Sequence, residues 1–155
     1  MLIPLSSDRP LRRRVVVTKL LIAANVLVHV AMVAVEARDP ETYGEILSRF
    51  WVIREPFTWW GLWTSAFLHA DWIHLLFNMI FLWTFGPNLE DRLGKIGFTV
   101  FYLLGAAASG GLHIALEEAP AIGASGAVSA VTGAYLVMFP RTNIKCLFFI
   151  SLVHL

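Results

Sequence analysis

A single serine lies in a cluster of small residues at the start of an apolar run. The segment GASGAVSAVTGAYLVMFPR extends from Gly123 to Arg141 and places Ser125 between small neighbours. The first N–H groups of a helix have no partner within the helix, and the helix dipole is positive there, so that such a position suits a developing oxyanion. One interpretation of the segment is therefore that Ser125 is a nucleophile.

The same segment has a second interpretation, which is close packing between helices. Small residues recur in it at every fourth position, in two stripes: Ser125, Ser129 and Gly133, and Gly126, Ala130 and Ala134. This small-xxx-small spacing allows membrane helices to approach closely. From the segment alone, packing and catalysis both remain open.

The earlier stretch HADWIHLLFN adds polar side chains, namely His69, His74 and Asn78. His74 and Asn78 are four residues apart and share one helix face. Such side chains at membrane depth usually face the bundle interior and mark a functional path, although they also form hydrogen bonds between helices. His69 and His74 are five residues apart and point in different directions, with no carboxylate or thiolate converging on them, so we predict no metal site.

The composition indicates a membrane protein, because 57% of the 155 residues are hydrophobic and only 15% are charged. Several apolar runs approach the roughly 20 residues that cross a bilayer as a helix. We predict an all-α, polytopic transmembrane helix bundle with four full spans and a partial fifth. The spans are predicted at 15–35, 67–85, 98–116 and 126–139, with the partial one at 146–155.

The charges between these runs predict the orientation. Residues 1–14 form a basic tail, residues 15–155 the membrane domain, and residues 36–66 a loop outside the membrane with aromatic residues suited to the interface. Eight basic residues fall on the side of the tail: Arg9, Arg12, Arg13, Arg14, Arg92, Lys95, Arg141 and Lys145. The positive-inside rule places the N-terminus in the cytoplasm. The fourth span, at about 14 residues, is too short to reach the outer surface, so Ser125 is expected below that surface.

Other functional classes find little support. A net charge of +1 and the absence of a separate basic domain argue against nucleic-acid binding. Cys146 is the single cysteine and cannot form an internal disulfide. A cleaved signal peptide is disfavoured because the first apolar run is long and no A-x-A site follows it.

From Trp60 to Arg141 the chain resembles the rhomboid intramembrane serine proteases. The family pattern W-x3-T-x2-F-x-H-x4-H-L-x2-N-M-x2-L is matched by Trp60, Thr64, Phe67, His69, His74, Leu75, Asn78, Met79 and Leu82. The stretch GPNLEDRLG matches G-x3-E-x-R-x-G, and the segment that begins at Gly123 matches the family's active-site segment. Three motifs in the right order over about half the chain make the resemblance specific.

The resemblance implies a role for each matching residue. Ser125 corresponds to the nucleophile, and His74 and Asn78 correspond to side chains that stabilise the oxyanion beside the Ser125 N–H. Gly123, Gly126 and His69 are implied to support the site, His69 as a loop-side structural histidine. Glu90 and Arg92 are implied to form a structural pair on the cytoplasmic side, which agrees with a solvated ion pair.

The resemblance also implies substrates and location. Family members cleave transmembrane proteins near the outer membrane face, without a metal or cofactor. The expected partners are transmembrane substrates and the lipid bilayer, and the expected location is the bacterial inner membrane. The oligomeric state is not predicted. The alternative is an inactive rhomboid-like protein that binds transmembrane clients.

The chain departs from the family pattern at several positions. Rhomboid proteases take their base from a histidine in an A-H-x2-G context on a sixth span, and the 155 residues contain no such segment. His154 is the one downstream histidine but lacks that context, so we expect this chain alone to be nearly inactive. His29 and His113 match no family position and are expected to form interhelical hydrogen bonds. Gly61 stands where many members carry Arg.

Overall fold

The structure is a computed structural model and describes residues 2–148. The helices are α1 (Val17–Arg38), α2 (Pro40–Phe50), α3 (Gly61–Thr64), α4 (Trp72–Leu116) and α5 (Ser125–Met138), with a 3-10 turn at Ser65–Phe67. The strands are β1 (Leu2–Ser7) and β2 (Ile144–Phe148). Helices α1 and α4, of 22 and 45 residues, are long and apolar enough to cross a membrane, and α5 is a shorter apolar helix of 14 residues.

Helix α4 reverses direction at Gly94, where the backbone has φ 76° and ψ 168°. In one straight helix, His74 and Ser109 would lie about 50 Å apart. Both instead contact the start of α5, His74 at Gly123 and Ser109 at Gly126. The halves 72–93 and 95–116 therefore run antiparallel, and glycine supplies the positive φ that the turn requires.

The predicted spans correspond to this arrangement in outline. The runs 15–35 and 126–139 match α1 and α5, and the runs 67–85 and 98–116 fall mainly in the two halves of α4. The second helix begins at Trp72, later than predicted, because Asp71 caps it there. The number of segments that cross a membrane stays a prediction.

The prediction of an all-α fold is wrong at the two ends of the described chain. The tail 1–14 contains β1, and the predicted partial span 146–155 begins in β2, which pairs antiparallel with β1. A short apolar run fits a strand as well as a helix, and β1 offers backbone groups for it to pair with. The remainder of that predicted span lies outside the described residues. Ser7 Oγ also lies 2.7 Å from the Tyr135 hydroxyl, which ties β1 to α5.

The loop 36–66 is structured and joins the segment that precedes α5. Val52 and Ala121 form an antiparallel bridge with N–H···O distances of 3.1 and 2.8 Å. A Cβ at Gly61 would lie 2.5 Å from the carbonyl oxygen of Trp51. The loop is therefore held by close backbone packing at the position where many rhomboids carry Arg.

Glu90 caps the start of α1 from the turn of α4. Its carboxylate accepts four hydrogen bonds of 2.7–2.9 Å, from the N–H groups of Val16, Val17 and Thr18 and from the Thr18 hydroxyl. Glu90 is only 2% exposed, whereas Arg92 is exposed. The expected solvated ion pair is therefore wrong, since residues two apart on a helix do not face each other.

Candidate active site

Helix α5 begins at Ser125, directly after a turn that neighbouring segments hold in place. Gly123 has φ +121° and donates its N–H to the Ser65 carbonyl at 2.8 Å. The Ala124 N–H points to His69 Nε2 at 3.5 Å. Ser125 is exposed, and its N–H belongs to the first helical turn, where N–H groups lack acceptors within the helix.

His74 lies against this turn. A Cβ added to Gly123 would be 2.5 Å from His74 Cε1 and 2.8 Å from Nε2, so only glycine leaves room for the ring. One turn further along α4, Asn78 donates from Nδ2 to the His74 carbonyl at 3.0 Å. The two side chains therefore lie on the face of α4 that is turned toward the start of α5.

Asp71 fixes the start of the helix that carries His74. Its Oδ1 accepts the His74 N–H at 2.7 Å, just before α4 begins. This backbone hydrogen bond favours the carboxylate and lowers the pKa of Asp71 below its usual value of 3.8, against a smaller opposing effect of burial. A charged Asp71 at this position also suits the positive end of the helix dipole.

One cavity of about 480 Å³ joins the three predicted catalytic residues. Ser125, His74 and Asn78 all line it. Aromatic and aliphatic side chains, including Phe77 and Leu136, form much of the rest of its wall. A hydroxyl, an imidazole and an amide thus meet in a mainly apolar space, which strengthens electrostatic interactions with a developing charge.

A smaller cavity of about 120 Å³ lies on the other side of the α5 N-terminus. Ser125 lines this cavity as well, together with Ser65, Ser109 and His113. His113 Nε2 also lies 2.7 Å from the Ala119 carbonyl, in the loop after α4. His113 therefore bonds within its own connection, and the expected interhelical hydrogen bond is wrong because the chain turns back beside the ring.

The two stripes of small residues on α5 have different surroundings. Gly126 faces Ser109, whose side chain occupies the place a Cβ would take, and Ala130 Cβ would lie 2.9 Å from a Cβ at Gly105. By contrast, Gly133 has no atom of the described residues within 4 Å of its Cβ position. Packing therefore explains the stripe of Gly126, while Ser125 belongs to the stripe that faces the larger cavity.

Three histidine rings lie in series behind the site. The centroids of His69 and His74 are 5.2 Å apart, and those of His69 and His29 are 6.3 Å apart. His29 packs edge-on against Trp72 at 4.5 Å, and within residues 2–148 neither of its ring nitrogens has a hydrogen-bond partner. The expected interhelical hydrogen bond of His29 is thus replaced by aromatic packing.

Two further predictions concern His154 and a metal site. His154 lies outside the described residues. Within residues 2–148, no three His, Cys, Asp or Glu side chains are grouped so that they could hold a metal ion.

Comparison with known proteins identifies the family. The model of the rhomboid domain matches residues 56–155, which is more than half of the chain. The chain belongs to the rhomboid family. Together with the apolar helices, this membership points to an integral membrane protein, and the homologues support an intramembrane-protease type of function at the family level.

Its relatives include proteins of bacteria and organelles. YdcA of Bacillus subtilis (strain 168), which carries a rhomboid-protease name, is 40% identical over 83 residues, covering 52% of this chain and 41% of that protein. Rhomboid protein 1, mitochondrial, of Saccharomyces cerevisiae is 34% identical over 87 residues (52% and 25%). Rhomboid protease GluP of Bacillus subtilis is 35% identical over 78 residues (50% and 15%). The chain thus spans less than half the length of each of these relatives.

Three residues near the rhomboid site were missed from the sequence. Asp71 precedes an apolar periodic run, and this N-cap signal could have identified it. Ser65 contributes a backbone carbonyl to Gly123, which no side-chain pattern reveals. Ser109 is in contact with Gly126, and its small size within the run GAAASGG was the available signal.

Proposed function

We propose that this rhomboid protein is a serine endopeptidase that cleaves transmembrane proteins near the outer membrane face. The observation that carries the proposal is the position of Ser125 at the start of α5. It belongs to the stripe of small residues that includes Gly133 and faces the larger cavity, and it shares that cavity with His74 and Asn78. A residue that served only helix packing would be in direct contact with a neighbouring helix, as Gly126 is with Ser109.

In the proposed reaction, Ser125 Oγ attacks the carbonyl carbon of the scissile peptide bond. The carbonyl oxygen becomes an oxyanion, which the Ser125 N–H and the side chains of His74 and Asn78 stabilise. The peptide C–N bond then breaks, the amine leaves with a proton, and the acyl group remains on Ser125 until water hydrolyses it. Gly123 supports this arrangement because its missing Cβ leaves space for the His74 ring.

The attack requires a base that takes the proton of the Ser125 hydroxyl. Within residues 2–148 no hydrogen bond joins Ser125 Oγ to a histidine, and His74 is assigned to the oxyanion. We propose that the base is a histidine in an A-H-x2-G segment, as the family resemblance implies. The cavity of about 480 Å³ beside Ser125 is the space that such a helix would enter.

The proposed orientation follows from the charges. The basic residues of the tail and of the turn at Gly94 support an N-terminus in the cytoplasm, with the α5 N-terminus toward the opposite face. The proposed location is a bacterial inner membrane. A client-binding protein without catalysis is the less favoured function, because the rhomboid model matches residues 56–155, which include Ser125, His74 and Asn78, and two of the relatives carry protease names.

Cleavage of a single-span substrate in proteoliposomes tests the proposal. The enzyme is the chain extended by helices that carry an A-H-x2-G segment. We expect the extended chain to cut and its Ser125→Ala variant to be inactive but folded. Ser129→Ala is the matched control, since Ser129 lies one turn further along the same stripe, and it should retain cleavage. Cleavage by Ser125→Ala at the unmodified rate would overturn the assignment.

A further inference from the structure

Two adjoining cavities lie where the start of α1 meets the turn of α4, and we call them together the basic cleft. The first, about 600 Å³, is lined by Arg14, Lys19 and Trp83 among others. The second, about 540 Å³, is lined by Arg13, Arg14 and Lys95 among others. Arg14 lines both cavities, so the two adjoin at this side chain. The cleft lies away from the cavities that Ser125 lines.

The cations of the basic cleft form no ion pair within the described residues. The ion pairs found in residues 2–148 are Arg9 with Asp91 and Arg54 with Glu118, and neither involves a cation of the cleft. Arg13, Arg14, Lys19 and Lys95 are all exposed. Four positive side chains and a single carboxylate, that of Glu90, therefore line the cleft.

The carboxylates nearest to the cleft are directed away from it. Glu90 lines the second cavity, but both of its oxygens accept hydrogen bonds from the start of α1. Asp91 is buried and accepts the N–H groups of Arg12 and Arg13 at 2.9 and 2.7 Å. Both carboxylates are thus engaged at the start of α1, Asp91 in an ion pair with Arg9 as well, and the cleft keeps an excess of positive charge.

The same hydrogen bonds hold the cations in place. Asp91 fixes the backbone of Arg12 and Arg13, and Glu90 fixes the backbone that follows Arg14. The guanidinium of Arg13 lies over the turn, with Nη1 3.4 Å from the Cβ position of Gly94. A ligand would therefore meet a positioned pair of arginines, which lowers the entropy cost of binding.

Large apolar side chains border the basic cleft. Trp83 in the first cavity is 54% exposed, and Ile96 in the second is 83% exposed. Both belong to α4, which is long and apolar enough to lie in a membrane. A tryptophan beside basic residues is typical of the boundary between lipid tails and headgroups.

We propose that the basic cleft binds one anionic phospholipid. Its phosphodiester lies against Arg13, Arg14 and Lys95, and its acyl chains lie along Trp83 and Ile96. Guanidinium groups match phosphate oxygens in charge and in fork geometry, and basic pockets between membrane helices suit anionic headgroups. The proposal is independent of the protease function and requires only that the protein lies in a membrane.

Native mass spectrometry of the purified chain tests the proposal. The chain in detergent is mixed with equal amounts of phosphatidylglycerol and phosphatidylcholine, and the bound lipid is counted for each. The test variant is Arg14→Gln/Lys95→Gln, and the matched control is Arg141→Gln/Lys145→Gln. The control removes the same charge from exposed residues predicted at the same membrane face but outside the cleft. A charge-preserving variant, Arg14→Lys/Lys95→Arg, separates loss of charge from loss of folding.

We expect phosphatidylglycerol to bind in preference to phosphatidylcholine. The test variant should lose roughly 5- to 30-fold of that preference, since each basic side chain near a lipid surface contributes about fivefold. The control and the charge-preserving variant should change it less than about twofold. Equal losses in test and control variants would overturn the proposal, because the effect would then be general surface charge. Full competition by free glycerol phosphate at the lipid's concentration would also overturn it, because the lipid tails would then contribute nothing.

Discussion

Substitution of single glycines on α5 distinguishes the stripe of Gly126, which packs against α4, from the stripe of Ser125, which faces the larger cavity. Alanine at Gly126 would place a methyl group where the side chain of Ser109 lies. Because that obstacle is close to the backbone of α4, the two helices must separate, and overpacking of this kind typically costs about 1–3 kcal/mol. Alanine at Gly133 meets no described atom within 4 Å and should stabilise the helix by about 0.5–1 kcal/mol.

The two variants should therefore differ by about 1.5–4 kcal/mol in free energy of unfolding, or roughly 3–16 °C in Tm for a chain of this size. Thermal unfolding in detergent, followed by helical circular dichroism, measures this difference between proteins that carry the same added methyl group. A Gly126→Ala variant as stable as the parent chain would refute the close approach of α5 to Ser109. Clear destabilisation by Gly133→Ala would show that the stripe of Ser125 is packed.

Three further changes give distinct results. Gly123→Ala combines a positive φ with a collision with His74, so we expect the free energy of unfolding to fall by about 2–4 kcal/mol. We also expect the extended chain to cleave its substrate roughly 100-fold more slowly, as for loss of one oxyanion donor. An unchanged cleavage rate would remove His74 from the site. Glu90→Ala leaves four donors at the start of α1 without their acceptor, so the free energy of unfolding, measured with heat or denaturant, should fall by roughly 2–4 kcal/mol. An unchanged stability would show that Glu90 does not cap α1. Because the pKa of Asp71 is lowered in the folded protein, its stabilising effect is full when the pH is above the usual pKa of 3.8 and is lost as the pH falls through the lower folded pKa. Between pH 6 and about 2.5, the stability of Asp71→Asn should therefore fall less steeply than that of the parent chain. Parallel stability curves would argue against this contribution.

The sequence motifs predicted which residues line one cavity better than they distinguished the two stripes of small residues on α5. The spacing of His74 and Asn78 predicted a shared helix face, and the position of Ser125 predicted a helix start, because both follow from local geometry. Which stripe of small residues packs against α4 could not be predicted, since both recur at every fourth residue. The approach of Ser109 to Gly126 and the free space at Gly133 distinguish them.

The errors in the fold arise from contacts between distant segments. The strand at Ile144–Phe148 depends on pairing with Leu2–Ser7, more than 130 residues earlier, and its apolar composition alone favoured a helix. Glu90 was paired in prediction with its near neighbour Arg92, whereas its hydrogen-bond partners are at the start of α1. Local spacing contains no information on such partners.

Labelling by a fluorophosphonate probe tests the central claim that Ser125 is a nucleophile. The probe is applied to the 155-residue chain, to the version extended by an A-H-x2-G segment, and to the Ser125→Ala and Ser129→Ala variants of the extended version. We predict that the extended chain and its Ser129→Ala variant are labelled, whereas its Ser125→Ala variant and the 155-residue chain are not. Labelling of Ser125→Ala at the same rate would contradict the claim.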